Sequence, residues 1–224
     1  EAVSQYLQLK GIGKAKTFHQ AALRNAFAAI YMPEAESKKR VSIPVETIRQ
    51  IQQSCMEHDD DIRWLIALIS DTGMRLAEAA GLHVDDIKLD EDIPYVIIKP
   101  HPWRSLKTKG SQRQVPLIGS SLWAAQRITA NALSCFAFPR YTDNSRCNAN
   151  SASNALNKWL HANFHKDIVI HGFRHAMRDR LRAVSCLSEM IDQIGGWSSG
   201  KIGEGYGEGF PTSSIMNFMR KIAP

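Results

Sequence analysis

Arg75 lies in the segment TGMRLAEAAGL, where its position suits the binding of a phosphate group. The segment predicts a short helix that Thr72 or Gly73 can cap, with Arg75 in the first turn. Free backbone N–H groups and the positive end of the helix dipole favour an anion there, whereas a cation is poorly stabilised. The alternative is a structural ion pair between Arg75 and Glu78, which lies three residues further along the helix.

A second candidate pair lies in the segment HGFRH. His171 and Arg174 are three residues apart, so on a helix they project from neighbouring turns of one face. Further arginines follow at positions 178, 180 and 182. Taken alone, the segment therefore fits a solvated basic helix face better than a reactive site.

Tyr206 lies inside the segment GGWSSGKIGEGYGEGF. This segment, Gly195 to Phe210, holds seven of the chain's 14 glycines. Glycine loses more backbone entropy on ordering than any other residue, so the segment predicts a loop rather than a helix or a central strand. By itself, the pattern favours an ordinary surface loop with an exposed tyrosine.

The elements that must position these residues are mainly helical. Helical patterns appear in IPVETIRQIQQSCM, DIRWLIALI, MRLAEAA, SSLWAAQRITANAL, SASNALNKWLHANF, HGFRHAMRDRLRAV and LSEMIDQI. PYVIIKP and QRQVPLI predict two strands, joined by the long basic turn HPWRSLKTKGS. The sequence thus predicts an α+β fold, mainly α-helical, with a small antiparallel β-sheet.

The chain also divides in two along its length. A helix is predicted in FHQAALRNAFAAIYM, and the polar stretch PEAESKKR ends near Arg40 as a linker. Residues 1–40 are too few for an independent domain, so we interpret them as the end of another domain. The main domain is then expected to span residues 41–224.

Composition limits the classes of partner. The 224-residue chain carries a net charge of +6 at pH 7 and has a pI near 9.2, which suits a polyanion such as DNA. No apolar run approaches the ~20 residues that cross a bilayer, and no signal-peptide layout is present, so a cytoplasmic protein is expected. The four cysteines form no CxxC pair, which favours reduced thiols without a structural metal.

Together and in this order, TGMRLAEAAGL, HGFRH and GGWSSG with a following tyrosine resemble the tyrosine site-specific recombinases of the phage integrase family. The resemblance covers about residues 41–224 and implies the integrase-type catalytic domain. Residues 1–32 would then be a remnant of the family's DNA-clamping, core-binding domain.

The resemblance implies a role for each matched residue. Tyr206 would attack a DNA phosphodiester, and His171 would accept or orient its proton. Arg75 and Arg174 would bind the non-bridging phosphate oxygens through their planar guanidinium groups. Trp197 would either donate its indole N–H to a phosphate oxygen or serve in packing.

A lysine on the basic turn is the implied proton donor to the leaving 5′ oxygen. Lys107 is the better match, with Lys109 as the alternative. Candidate DNA-contacting residues are Lys109, Arg113, Lys14, Lys16, Lys39 and Arg40.

The implied activity is cleavage and rejoining of double-stranded DNA through a 3′-phosphotyrosine, with no metal or cofactor, to integrate or excise a phage or other mobile element. A chromosome-dimer resolvase and a type IB topoisomerase would use the same chemistry. A DNA-binding module with a vestigial site is a rival of another class.

The C-terminal segment carries an apolar stripe on a short predicted helix. Ile215, Phe218, Met219 and Ile222 recur at helical spacing. A helix this short needs a surface on which to dock. The chain's own domain is one candidate, and a neighbouring protomer in a tetramer on DNA is the other.

Overall fold

The computed structural model describes residues 42–197 and 209–223. The helix predicted in FHQAALRNAFAAIYM and the linker that ends near Arg40 lie outside these ranges. Most of the glycine-rich segment lies outside them as well. The site and DNA-contact candidates outside them are Lys14, Lys16, Lys39, Arg40 and Tyr206. The domain boundary near Arg40 therefore stays a prediction.

Helices form most of the described structure, as the hydrophobic periodicity predicts. They are α1 Val45–His58, α2 Asp61–Thr72, α3 Leu76–Ala80, α4 Gly119–Ala130, α5 Ala149–Asn163, α6 Gly172–Ala183, α7 Ser188–Gly195 and α8 Thr212–Ile222. Helix α2 is central, because it packs against α1, α4 and α6 and its residues Leu65 to Thr72 are all buried. The mainly helical α+β prediction is confirmed.

A three-stranded antiparallel sheet lies beside these helices in the order β1 Ile87–Lys88, β2 Tyr95–Ile98 and β3 Arg113–Pro116. Val96 pairs with Val115, and both are fully buried. The predicted pair of strands is therefore confirmed as β2 and β3. Strand β1 is additional, since two residues are too few to show an alternating pattern.

The turn between α2 and α3 differs from its prediction. Thr72 is the last residue of α2, and Gly73 ends that helix with a φ of 61°. Arg75, rather than Thr72 or Gly73, is the N-cap residue of α3. The expected cap was wrong because Gly73 supplies the left-handed residue that ends α2, so it cannot also begin α3.

Helix α8 carries the apolar stripe of the C-terminal segment and docks on the same chain, which covers the stripe. Ile215, Met219 and Ile222 are buried, and Phe218 is partly buried. The helix packs against β3 and α6. In this structure the stripe is therefore buried against its own chain. Within the two described ranges, no helix has both the length and the apolar character needed to cross a membrane.

Candidate active site

Arg174 is a buried arginine whose guanidinium is only partly satisfied. The residue is 3% exposed, and Nη1 donates to the carbonyl of Gly73 at 2.7 Å. Its Cζ lies 4.2 Å from the centre of the Trp197 ring, a cation–π contact. Among the described residues, Nη2 has no hydrogen-bond partner. A buried guanidinium with a donor that lacks a partner suits an anionic ligand.

The electrostatic surroundings of Arg174 lead to the same conclusion. Burial, together with the positive charges of Arg75 and Arg113, lowers the pKa of Arg174 to about 9, although Glu78 opposes the shift. The charged form is therefore held at a free-energy cost. A phosphate placed against this guanidinium would offset that cost.

Arg75, whose charge acts on Arg174, is held in place by three described side-chain contacts. Nη1 donates to Glu78 Oε1 at 2.7 Å and to Ser111 Oγ at 3.2 Å, while Nη2 donates to the carbonyl of Gly196 at 2.9 Å. The ion pair with Glu78 that the sequence offered as an alternative thus exists. It orients Arg75 without burying it, since 23% of the side chain remains exposed.

Glu78 is the carboxylate on which two arginines converge. It is 3% exposed, and Oε2 accepts from the backbone N–H of Arg75 and from Nη2 of Arg113, each at 2.9 Å. Burial alone would raise the pKa of Glu78, but the arginines outweigh it and the net shift is downward. The carboxylate therefore stays ionised near neutral pH.

Arg113 is buried, and its guanidinium donates to acceptors within the protein. Its side chain is 3% exposed and forms an ion pair with Glu78. Its expected DNA contact does not fit this position. The inward-facing residues of β3 alternate along the strand, and Arg113 lies on the buried side with Val115.

Lys107 is exposed on the connection between β2 and β3. The next residue, Thr108, has its Oγ1 3.0 Å from Ser111 Oγ, the same hydroxyl that contacts Arg75. This chain of contacts brings the connection to the arginine cluster, which consists of Arg75, Arg113 and Arg174, although no described contact joins Lys107 to an arginine. The Lys109 side chain lies outside the described part, so the choice between the two lysines stays a prediction.

The HGFRH segment is not a uniform basic face. His171 is the N-cap residue of α6 and is exposed, and its ring meets that of His175 edge-to-face at 5.0 Å. Arg174 on the first turn is buried. Arg178, one turn further, also lies over Trp197, at 5.0 Å.

The described residues flanking Tyr206 are fixed to helix α7. Trp197 follows Gly196, the C-cap residue of α7, and its backbone N–H donates to the carbonyl of Asp192 at 2.9 Å. Phe210 exchanges two hydrogen bonds with Gln193, at 2.7 and 3.0 Å. The chain thus leaves α7 at the arginine cluster and returns to the same helix.

The model of the phage integrase family matches residues 42–208 of this chain, which is most of its length. The chain belongs to the phage integrase family. Its matched region includes every candidate catalytic residue, Tyr206 among them. No curated protein sequence matches the chain.

Solved structures with the same fold include a transposon integrase and a recombinase. The Tn1549 transposon integrase in complex with circular intermediate DNA has a TM-score of 0.59 at 16% identity, covering 96% of this chain and 79% of that one. The XerA recombinase has a TM-score of 0.55 at 18% identity, covering 98% and 71%. In the complex of the Tn1549 integrase with transposon right end DNA, the match has a TM-score of 0.54 at 16% identity, and it covers 83% of this chain and 63% of the integrase. This integrase-family chain therefore spans less than two thirds of that solved chain.

Two residues that organise this integrase-family site were not predicted from the sequence. Ser111 is fully buried and contacts Arg75, but a serine in a basic turn carries no distinctive signal. Gly196 has a φ of 60° and accepts from Arg75 through its carbonyl. Its signal was the glycine pair before Trp197, which ends α7 rather than only opening a loop.

Among the residues with a described position, no group of His, Cys, Asp or Glu could hold a metal ion.

Proposed function

We propose that this chain is a site-specific DNA recombinase, a strand transferase that cleaves and rejoins DNA through a 3′-phosphotyrosine on Tyr206. The observation that carries the proposal is the buried guanidinium of Arg174, whose Nη2 has no acceptor among the described residues. Arg75 is a second, partly exposed guanidinium near it. Two arginine forks suit the two non-bridging oxygens of a phosphodiester.

The proposed reaction begins when the Tyr206 phenol oxygen attacks phosphorus and gives its proton to His171. Negative charge grows on the non-bridging oxygens, where Arg75 and Arg174 stabilise it. The bond from phosphorus to the 5′ oxygen breaks, and that oxygen takes a proton from Lys107. Attack by a 5′ hydroxyl of a partner duplex reverses these steps. One phosphoester replaces another, so no external energy source is required.

The proposed biological setting is integration or excision of a phage or other mobile element, in the cytoplasm. Chromosome-dimer resolution would use the same chemistry, so only the DNA that is recombined separates it from integration. The sequences that flank the gene provide candidate sites. Recombination between a mobile-element end and a chromosomal target supports integration, whereas exchange confined to two copies of a chromosomal site supports the resolvase.

The experiment that tests the activity uses a suicide substrate with a nick next to the cleavage position. Loss of the short 5′-hydroxyl fragment then prevents religation and traps the covalent intermediate. We expect a protein–DNA band that survives denaturing electrophoresis. A protein that binds this DNA but forms no such band would be the DNA-binding module with a vestigial site.

We expect Lys107→Ala to cleave ordinary DNA about 100-fold more slowly, because the leaving 5′ oxygen then lacks its proton donor. Replacing that oxygen with sulfur should restore the rate, since a thiolate departs without protonation. Single-turnover cleavage of both substrates provides the measurement. Rescue of Lys109→Ala but not of Lys107→Ala would assign the general acid to Lys109 instead.

We further propose that four protomers assemble on two DNA duplexes and exchange their C-terminal segments. Because α8 docks on its own chain in this structure, exchange requires α8 to detach from β3 and α6. The detached stripe would be covered by a neighbouring protomer. Its position after Tyr206 would couple assembly to the nucleophile.

A cross-link that holds α8 on its own domain tests this exchange. Thr212 Oγ1 and Gln114 Oε1 are 3.3 Å apart, so Gln114→Cys/Thr212→Cys can be joined by a short bis-maleimide. Replacing the more accessible native thiols, by Cys135→Ser and Cys147→Ser, directs the reagent to this pair. The untreated variant should form complexes of four protomers on DNA, and the cross-linked one should not. Tetramers of the cross-linked protein would refute the exchange.

A further inference from the structure

Arg113 joins three elements that meet at the candidate site. Its Nε donates to the carbonyl of Ile194 at 2.7 Å, near the end of α7. Nη1 donates to the carbonyl of Ser111 at 2.7 Å, in the connection that carries Lys107. Nη2 donates to Glu78 Oε2 at 2.9 Å, on α3. One planar group thus fixes the distances between α3, α7 and the β2–β3 connection.

The end of α7 is shaped to accept this guanidinium. A Cβ added at Gly196 would lie 2.6 Å from Nη1 of Arg113, so a larger residue there would displace the arginine. The carbonyl of Gly196 in turn accepts from Arg75. Two arginines therefore bind the last carbonyl groups of α7, Arg113 at Ile194 and Arg75 at Gly196.

The shared carboxylate links these two arginines to each other. Glu78 binds Arg75 through Oε1 and Arg113 mainly through Oε2. Without Arg113, the carboxylate would have only Arg75 as a charged partner, and the carbonyl of Ile194 would lose its side-chain donor. Arg75 would then be drawn toward Glu78 while the end of α7 is released.

We propose that Arg113 is a positioning residue that holds Arg75 and the end of α7 in fixed register. The inference rests on the proposed function, because it explains how the phosphate-binding arginine and the chain leading to Tyr206 are kept together. Arg113 acts through Arg75 and Gly196, since Nε, Nη1 and Nη2 of its guanidinium already donate to acceptors within the protein. A displacement of about 1 Å at a reacting centre can reduce a rate about 100-fold.

The test compares Arg113→Met with Arg180→Met. Arg180 is a matched control, because its buried guanidinium also pairs with one buried carboxylate, Asp71, at 3.0 Å. Each substitution removes a buried positive charge and leaves a carboxylate with one partner fewer, so each should lower the thermal unfolding midpoint. Of the two variants, only Arg113→Met should slow single-turnover cleavage, by about 100-fold, with little change in DNA affinity.

Hydrogen exchange of the DNA-free protein provides a readout that does not depend on activity. The backbone N–H groups of Gly196 and Trp197 bond to Gln193 and Asp192 in α7. Their exchange should accelerate in Arg113→Met and stay at the wild-type rate in Arg180→Met. Wild-type exchange at both amides in Arg113→Met would overturn the proposal, as would equal losses of cleavage in the two variants. If the wild-type protein forms no covalent adduct, the proposed function fails, and the exchange rates alone decide the role of Arg113.

Discussion

Tyr206→Phe should abolish covalent attachment to DNA and leave DNA binding intact, because it removes only the attacking oxygen. Loss of a nucleophile typically reduces turnover by at least about 10⁴-fold, so no covalent band is expected above background. The measurement is a denaturing gel of the reaction with the nicked suicide substrate, beside a binding assay on the same DNA.

Tyr141→Phe is the matched control for this substitution. Tyr141 is buried, and its hydroxyl has no hydrogen-bond partner among the described residues, so removing that oxygen should cost little. The control should form the covalent complex at the wild-type rate. A persistent covalent band in Tyr206→Phe would place the nucleophile on another residue.

Arg174→Lys should lose far more cleavage than binding, even though the positive charge is kept. The guanidinium of Arg174 donates to Gly73, lies over Trp197 and keeps Nη2 for the proposed phosphate, and one ammonium group cannot do all three. Arg75→Lys loses the contacts to Glu78 and Gly196 in the same way. Removing one such donor to a developing charge costs about 10² to 10³ in rate.

The measurement is the single-turnover cleavage rate beside the DNA dissociation constant. Arg127→Lys is the control, because the guanidinium of Arg127 also makes defined hydrogen bonds, two of them to Asp59, but lies outside the arginine cluster. It should leave both quantities unchanged. Equal losses of binding and cleavage in Arg174→Lys would mean that Arg174 only binds the phosphate and does not stabilise the transition state.

The long helices were predictable because their apolar residues recur with the helical period and their ends carry local signals. Gly81 directly follows α3, as glycine often does at a helix end, and the tail helix Thr212–Ile222 follows the predicted stripe. The docking surface of that stripe was not predictable. It depends on β3 and α6, which are distant in sequence.

The residue types of the candidate site were also readable from the sequence, but their arrangement was not. Arg113 and Arg178 both look like basic surface residues, yet only the first has its charge buried against Glu78. Such burial depends on which carboxylate the fold brings near. Likewise, the contact from Ser111 to Arg75 joins residues 36 positions apart, beyond the reach of any local pattern.

Mass spectrometry of the trapped covalent complex tests the central claim most directly. After nuclease and trypsin digestion, cleavage following Lys201 and Arg220 releases a peptide spanning 202–220, whose single tyrosine is Tyr206. We expect this peptide to carry the mass of a 3′-linked nucleotide and its fragmentation to place that nucleotide on Tyr206. Attachment to the peptide 141–146, which contains Tyr141, or the absence of any nucleotide-bearing peptide, would contradict the central claim.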